Sequence, residues 1–127
     1  MDQDKSKKKV LVVDDEPNMR RLLHSILSEK FVIYEADNGQ QAIDVANTIN
    51  PDVILMDMMM PKVDGLTACL AIKNNPATKL IPVIMVTGTG FELNKKLSQQ
   101  MGATGYITKP FSPKELLDKI AKAFAIP

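Results

Sequence analysis

Residues 53 to 57 read Val-Ile-Leu-Met-Asp, a continuous apolar run that ends in a carboxylate. Two more continuous apolar runs occur at residues 10–13 and 83–86. Strands of a parallel sheet are covered on both faces and are apolar throughout, whereas strands with one face in water alternate apolar and polar residues. The run at residues 53–57 therefore predicts a buried strand of a parallel sheet, with an acidic group at its carboxyl end.

Strand-like segments alternate with longer amphipathic segments along the chain. Besides the three runs above, β-branched and aromatic residues at 32–34 and 106–108 predict two further strands. Apolar side chains recur at helical spacing after each strand. The predicted helices lie around residues 19–27, 42–49, 66–72, 93–101 and 116–124. Parallel strands need crossover connections, whose helices cover the sheet. The pattern predicts an α/β fold: a three-layer, doubly wound, five-stranded parallel sheet with five helices.

Helix-start signals and the chain length define the domain. Pro17 suits the first position of a helix. The sequence Ser-Pro-Lys-Glu at residues 112–115 is a capping box that begins the last helix. A chain of 127 residues suits one domain with one core. We expect a flexible, polar, lysine-rich tail over residues 1–8 and a single domain over residues 9–127.

Composition excludes several classes of protein. Hydrophobic residues make up 45% and charged residues 24%, which is ordinary for a globular protein and unlike a disordered or fibrous one. The net charge of +1 provides no field to attract nucleic acid. No apolar run approaches the roughly 18 residues of a membrane span. The single cysteine, Cys69, rules out an internal disulfide and agrees with a reducing compartment. We therefore expect a cytoplasmic protein with no membrane partner and no direct nucleic-acid binding.

The ends of the predicted strands carry the polar residues that chemistry needs. Asp14 and Asp15 follow the first strand, and Asp57 ends the third. Thr87 and Lys109 stand at the ends of the fourth and fifth strands. In open parallel sheets, ligands bind beyond the carboxyl ends of the strands. If these strands are neighbours, three carboxylates, one hydroxyl and one ammonium meet at one edge.

The residue types in this cluster point to phosphoryl transfer. Three adjacent carboxylates repel one another unless a cation lies among them. Oxygen ligands suit Mg²⁺, and the lack of histidine or cysteine companions argues against zinc. A carboxylate such as Asp57 can act as a nucleophile and form an aspartyl phosphate. This transfer requires neutralisation of phosphoryl charge, which Lys109 and Mg²⁺ could supply, and Thr87 could donate a hydrogen bond.

Four motifs occur in order at the strand ends. They are Val-Asp-Asp-Glu-Pro at 13–17, Pro-Asp-Val-Ile-Leu-Met-Asp-Met-Met-Met-Pro at 51–61 with Asp-Gly at 64–65, Val-Thr-Gly at 86–88, and Lys-Pro-Phe at 109–111. In combination they resemble the receiver domain of two-component response regulators, of the chemotaxis single-domain kind, over residues 9–125. The resemblance implies a flavodoxin-like fold with strand order 2-1-3-4-5.

The resemblance also implies roles for the acidic residues. Asp57 matches the phosphoacceptor. Asp14 and Asp15 match the acidic pair that binds Mg²⁺ together with Asp57, and the backbone carbonyl of Met59 matches the main-chain metal ligand. A histidine kinase or a phosphotransfer protein would donate the phosphoryl group, and Mg²⁺ would be the cofactor.

The other implied roles concern the response to phosphorylation. Thr87 matches the switch hydroxyl, Lys109 the phosphate-binding lysine, and Tyr106 the aromatic residue that turns inward on activation. The Lys109–Pro110 peptide bond would be cis, a state that proline makes accessible. The fourth predicted helix, the fifth strand and the last helix would bind a downstream protein. The chain would be a monomer, with dimerisation on activation left open, and would catalyse only its own phosphorylation and dephosphorylation.

Two other functions are compatible with some of these residues. One is a phosphorylation-independent pseudo-receiver, against which the intact Asp57, Thr87 and Lys109 argue. The other is a Mg²⁺-dependent phosphohydrolase that forms an aspartyl phosphate. That chemistry usually uses a second carboxylate two residues after the nucleophile, where this chain has Met59. The sequence also leaves open whether the chain is a stand-alone protein or the receiver of a larger regulator.

Overall fold

Strands and helices alternate along the chain. The computed structural model describes residues 7–58, 60, 64–88, 99–100 and 102–125. The strands are β1 (Lys8–Val13), β2 (Phe31–Ala36), β3 (Val53–Asp57), β4 (Val83–Thr87) and β5 (Gly105–Thr108). The helices of the described residues are α1 (Pro17–Leu27), α2 (Gly39–Ile49), α3 (Gly65–Lys73) and α4 (Pro113–Ala125). Four helices are therefore described where the sequence predicts five, because the one predicted over 93–101 lies outside the described residues except for 99–100.

All five strands form one parallel sheet in the order β2-β1-β3-β4-β5. This confirms the doubly wound α/β fold and the implied strand order. In the register, Val13 lies opposite Met56, and Asp57 lies opposite Val86. Thr87 lies opposite Thr108. Because the strands are parallel and in step, the residues that follow them lie along one edge of the sheet.

The sheet separates two hydrophobic clusters, which explains the continuous apolar run of β3. Ile54 and Met56 pack on the side of α2 and α3, whereas Val53 and Leu55 pack on the side of α1 and α4. All four side chains are at most 1% exposed. Cys69 of α3 is also buried in the first cluster, and burial raises the pKa of its thiol to about 11. A core role for this cysteine agrees with that environment.

Polar side chains cap the starts of α3 and α4, and a proline begins α1. The capping box predicted at residues 112–115 is present: Ser112 Oγ accepts from the Glu115 N–H at 3.1 Å, and Glu115 Oε1 accepts from the Ser112 N–H at 2.9 Å. Asp64 Oδ1 accepts from the Thr67 N–H at 2.8 Å at the start of α3. Pro17 is the first residue of α1, as predicted. None of the helices in the described ranges combines the length and apolarity that a membrane crossing requires.

The first strand begins one residue earlier than the expected domain boundary. Lys8, which the sequence pattern assigns to the flexible tail, pairs with Phe31 of β2. Its Nζ lies 5.7 Å from the centre of the Phe124 ring. The ladder and this cation–π contact hold Lys8 in the sheet. Residues 1–6 of the predicted tail lie outside the described residues.

Candidate functional site

The turn after β1 presents two acidic side chains of different exposure. Asp14 is 1% exposed, and its backbone N–H donates to the Ala36 carbonyl of β2 at 3.1 Å. Its Oδ1 accepts from the Glu16 N–H at 2.9 Å, which closes the turn before α1 begins. The side chain of Asp15 is exposed. The buried strand end thus directs one carboxylate inward, while the next residue faces water.

Asp57 is the last residue of β3 and is 6% exposed. The chain leaves the strand along β4, because the Met58 N–H donates to the Val86 carbonyl at 2.9 Å. The start of α3 lies close to the end of β3, because the Gly65 N–H donates to the Met58 carbonyl at 3.1 Å. A side chain on Gly65 would collide with the carbonyl oxygen of Asp57 and would lie 2.9 Å from its carbonyl carbon. Only glycine allows the first turn of α3 to lie this close to Asp57.

Lys109 connects the acidic residues of two strands. Its Nζ lies 3.6 Å from Asp14 Oδ2 and 3.6 Å from Asp57 Oδ1. Its backbone N–H donates to the Thr87 carbonyl at 2.7 Å, which fixes the lysine to the end of β4. The Lys109–Pro110 peptide bond is cis, the isomer that the resemblance implies. The Lys109 ammonium therefore forms ion pairs with two buried carboxylates, those of Asp14 and Asp57.

The three carboxylates form a candidate cation site. One oxygen each from Asp14, Asp15 and Asp57 lies within 4.8 Å of the others. Burial raises the pKa of the Asp14 carboxyl, although the Glu16 N–H and the Lys109 ammonium act in the opposite direction. Burial outweighs these contacts, so the site disfavours a further uncompensated negative charge.

The donor set fits a hard divalent cation. All three ligands are carboxylate oxygens, which Mg²⁺ prefers. The one histidine of the chain, His24, has its Nδ1 3.5 Å from Glu35 on another part of the surface, and the one cysteine, Cys69, is in the core. Nitrogen and sulfur ligands, which zinc and softer metals select, are thus absent from this group.

The remaining predicted residues have different surroundings. Thr87 ends β4 and is 4% exposed, and its hydroxyl donates to the Gly88 carbonyl at 3.4 Å. Tyr106 is half-buried on β5, and the Nζ of Lys119 lies 5.2 Å from the centre of its ring. Met59, whose carbonyl is the expected main-chain metal ligand, lies outside the described residues. The structure thus brings Asp14, Asp15, Asp57 and Lys109 together and places Thr87 on the backbone beside them.

Sequence reasoning missed Arg20, a residue that contacts the site from outside. Its Nη1 donates to the backbone carbonyl of Asp14 at 2.7 Å, and its Nε donates to Glu35 Oε1 at 3.1 Å. The only sequence signal is position: Arg20 lies in α1 shortly after the acidic pair. It also missed the backbone packing of Gly65, which the Asp-Gly pair signals only as a turn or helix end.

Comparison with known proteins shows the family to which the chain belongs. Residues 10–121 match the model of the response regulator receiver domain. The chain is 44% identical over 113 residues to the transcriptional regulatory protein ResD of Bacillus subtilis, covering 88% of this chain and 46% of that protein. It is 41% identical over 112 residues to the transcriptional regulatory protein SrrA of Staphylococcus aureus, covering 87% and 45%. The chain thus spans about half the length of the curated relatives it matches.

Solved structures show the same fold. A putative response regulator from Chloroflexus aurantiacus superposes with a TM-score of 0.91 at 29% identity, over 95% of this chain and 100% of that one. The chemotaxis protein CheY4 of Vibrio cholerae superposes with a TM-score of 0.86 at 30% identity, over 93% and 99% of the two chains. With its sheet order, its acidic strand ends and these matches, the chain belongs to the receiver-domain family of two-component response regulators.

Proposed function

We propose that this receiver domain works as a phosphorylation-activated switch whose phosphoacceptor is Asp57. The observation that carries the proposal is the position of the Asp57 carboxylate. It is buried at the end of β3, 3.6 Å from the Lys109 ammonium and beside two further carboxylates. A nucleophilic carboxylate, a cationic partner and an acidic pair are the parts that acyl phosphate formation requires.

The donor would be a phosphohistidine on a histidine kinase or a phosphotransfer protein. A carboxylate oxygen of Asp57 attacks the phosphorus atom, and an O–P bond forms as the N–P bond breaks. The bonding pair leaves with the imidazole nitrogen of the donor. Negative charge on the phosphoryl oxygens is compensated by Lys109, and the Thr87 hydroxyl can turn from the Gly88 carbonyl to donate to one of them.

Asp14, Asp15 and Asp57 would hold Mg²⁺, together with the Met59 carbonyl. When bound, the ion would neutralise phosphoryl charge and reduce repulsion among the carboxylates. The chain's own contribution is to hold Asp14 in place through its hydrogen bonds to Ala36 and Glu16. Asp57 is held by its pairing with Val86 in the β3–β4 ladder, so little rearrangement is needed for the reaction.

An open apolar cleft borders the site, since Gly88 and Lys109 belong to its lining. It has a volume of about 480 Å³ and is lined by Met19, Leu22, Gly88, Lys109, Pro110 and Phe111. Leu22 is 47% exposed. We propose that the phosphodonor covers this cleft while its phosphohistidine reaches Asp57, because burial of apolar surface would stabilise the encounter.

The phosphorylated form would signal through a protein partner. An aspartyl phosphate carries a charge near −2 and additional acceptor oxygens, which can draw Thr87 inward. Tyr106 and the last helix, α4, would belong to the responding surface. The relatives ResD and SrrA are named transcriptional regulatory proteins, so we propose that the downstream target acts in a regulatory pathway. We also propose that this segment does not itself bind nucleic acid.

A test of the phosphoacceptor uses acetyl phosphate and Mg²⁺ followed by intact mass measurement. Wild-type protein should gain the mass of one phosphoryl group, and Asp57→Asn should gain none. Asp37→Asn, which replaces an exposed carboxylate at the end of β2, is the matched control and should behave as wild type. An adduct on Asp57→Asn would show that another residue is the acceptor. Multiple turnover on phosphate esters would favour the phosphohydrolase instead.

A further inference from the structure

Arg20 joins the backbone of Asp14 to the neighbouring strand. Its guanidinium donates to the Asp14 carbonyl at 2.7 Å and to Glu35 of β2 at 3.1 Å. The Arg20 side chain is 19% exposed and that of Glu35 is 41% exposed, so the contact to the Asp14 carbonyl is partly buried and the contact to Glu35 lies at the surface. A planar guanidinium with two directed donors fixes both acceptors in one geometry, which a lysine cannot do. The contact therefore constrains the main chain where the acidic pair begins.

The turn that Arg20 holds is crowded with negative charge. Asp14, Asp15 and Glu16 are consecutive, and Asp57 lies close to the first two. Repulsion among these carboxylates favours opening of the turn. The Asp14 N–H is tied to Ala36 of β2, and its carbonyl is tied through Arg20 to Glu35 of the same strand. Both sides of the Asp14 backbone are thus anchored to β2.

We propose that Arg20 is a positioning residue for the divalent cation: it holds the Asp14 carbonyl so that the Asp14 and Asp15 carboxylates stay in place for binding. The inference rests on the proposed function, since it concerns the same cation site. Residues that orient metal ligands from outside typically change metal affinity by about 10–100-fold when they are replaced.

The direction in which cation affinity changes after Arg20→Gln distinguishes a positioning role from a purely electrostatic one. Arg20 is a cation, so its removal would raise the affinity for a divalent cation if charge were all that mattered. Glu35, 3.1 Å away, already compensates much of that charge. A fall in affinity per folded molecule after Arg20→Gln therefore has the sign expected of lost geometry and opposite to that expected of lost charge.

The experiment compares Arg20→Gln, Arg20→Lys and the control Arg21→Gln with wild type. Arg21 is the adjacent arginine of α1, is exposed, and contacts Asn18 within the helix. Mn²⁺ binding is measured directly by electron paramagnetic resonance. The Mg²⁺ dependence of phosphorylation by acetyl phosphate gives a half-saturating concentration and a maximal rate separately. Circular dichroism reports the folded fraction of each variant.

We expect Arg20→Gln to bind Mn²⁺ about tenfold more weakly and to need about tenfold more Mg²⁺ for half-maximal phosphorylation. Its maximal rate at saturating Mg²⁺ should stay within about twofold of wild type, since Arg20 does not touch the reacting atoms. Arg20→Lys should lie between the two, and Arg21→Gln should match wild type.

Two results would overturn the positioning role of Arg20, and a third would overturn the proposed function on which it rests. Arg20→Gln binding as tightly as wild type, or more tightly, overturns the positioning role. So does a loss of binding sites in proportion to lost folded protein, with unchanged half-saturation. If wild type itself binds no Mn²⁺ or is phosphorylated away from Asp57, the proposed function fails, and the outcome for Arg20 no longer concerns this site.

Discussion

Asp14 carries a buried carboxyl group whose pKa is raised by burial and lowered by a hydrogen bond and the Lys109 ammonium. Its carboxylate is almost fully buried, and burial raises its pKa above the ordinary value in spite of the Glu16 N–H and Lys109. Asp15 and Glu16 raise the pKa further. A carboxylic acid with a raised pKa in the folded state binds its proton more tightly there than in the unfolded chain. Its ionised form therefore destabilises the folded protein when no cation is present.

We predict that Asp14→Asn increases the free energy of unfolding near neutral pH in the presence of a chelator. The stabilisation that wild type gains from protonated Asp14 is present below the unfolded pKa and is lost as the pH rises through the raised folded pKa. The difference between variant and wild type should thus be larger near pH 7 than near pH 4. Urea unfolding at several pH values measures it, with Asp37→Asn as the exposed control. A difference independent of pH would show that ionisation of Asp14 is not its cause.

At the residue scale, the sequence predicts which charged side chains lie close together at the sheet edge. It does not predict the hydrogen bonds that fix their positions. Asp14, Asp57 and Lys109 come together because each follows a parallel strand, and a sequence pattern locates strand ends. Arg20 could not be predicted in the same way. The partners of a long side chain depend on the angle and distance at which α1 lies on the sheet, and packing of the whole molecule decides both.

At the scale of secondary structure, the backbones of α3 and β3 are in direct contact at Gly65. The first residue of the helix lies against the backbone of the last residue of the strand, with no side chain between them. Asp64 caps the helix directly before this contact. The position of α3 is therefore fixed by the main chain of Asp57.

We predict that Gly65→Ala lowers the free energy of unfolding by about 1–3 kcal/mol, because the added methyl group forces the backbones of α3 and β3 apart. Phosphorylation by acetyl phosphate should slow as well, since the Asp57 main chain must shift. Gly105→Ala on β5 is the control: a methyl group there meets nothing within 4 Å. Urea unfolding and intact mass measure the two effects. Equal stability of the two variants would show that α3 is not held by this contact.

The helices and strands themselves are well predicted, for identifiable reasons. Apolar runs mark strands buried on both faces, and Pro17 at a first helical position and Ser112 at an N-cap mark helix starts. Boundaries that depend on partners are harder to predict. Lys8 is polar and resembles a tail residue, yet it pairs with Phe31 in the ladder and its ammonium lies over the Phe124 ring.

For the whole molecule, the sheet separates two cores that are built from different helices. Ile72 of α3 is buried in one, and Ile120 of α4 is buried in the other. Each is 1% exposed. The two clusters have no buried residue in common within the described part of the chain, yet both contain residues of the same central strands.

We predict that Ile72→Val and Ile120→Val each lower the free energy of unfolding by about 1 kcal/mol. The double variant should lose the sum, to within about 0.5 kcal/mol, because sites without shared partners are additive. Unfolding should still occur in one transition, since the strands connect the two cores. Leu80→Ala, at a side chain that is 87% exposed, should change little. Two separate transitions in urea would show that the cores unfold independently.

Strand order is the feature of the whole molecule that residue patterns alone do not determine. They require parallel strands and helical crossovers, but several orders satisfy both conditions. The order 2-1-3-4-5 follows from the family resemblance, and the structure confirms it. The choice is made by how the helices divide between the two faces, which is a property of the complete packing.

The equal distances from Lys109 to Asp14 and Asp57, 3.6 Å each, have a consequence for how the two strand ends communicate. One ammonium cannot fully neutralise two anions, so the carboxylates compete for it. Added negative charge at the end of β3 attracts a larger share of the ammonium and leaves the residue after β1 less compensated. A change of charge on Asp57 therefore alters the electrostatic environment of Asp14 through Lys109, and no backbone movement is needed for this effect.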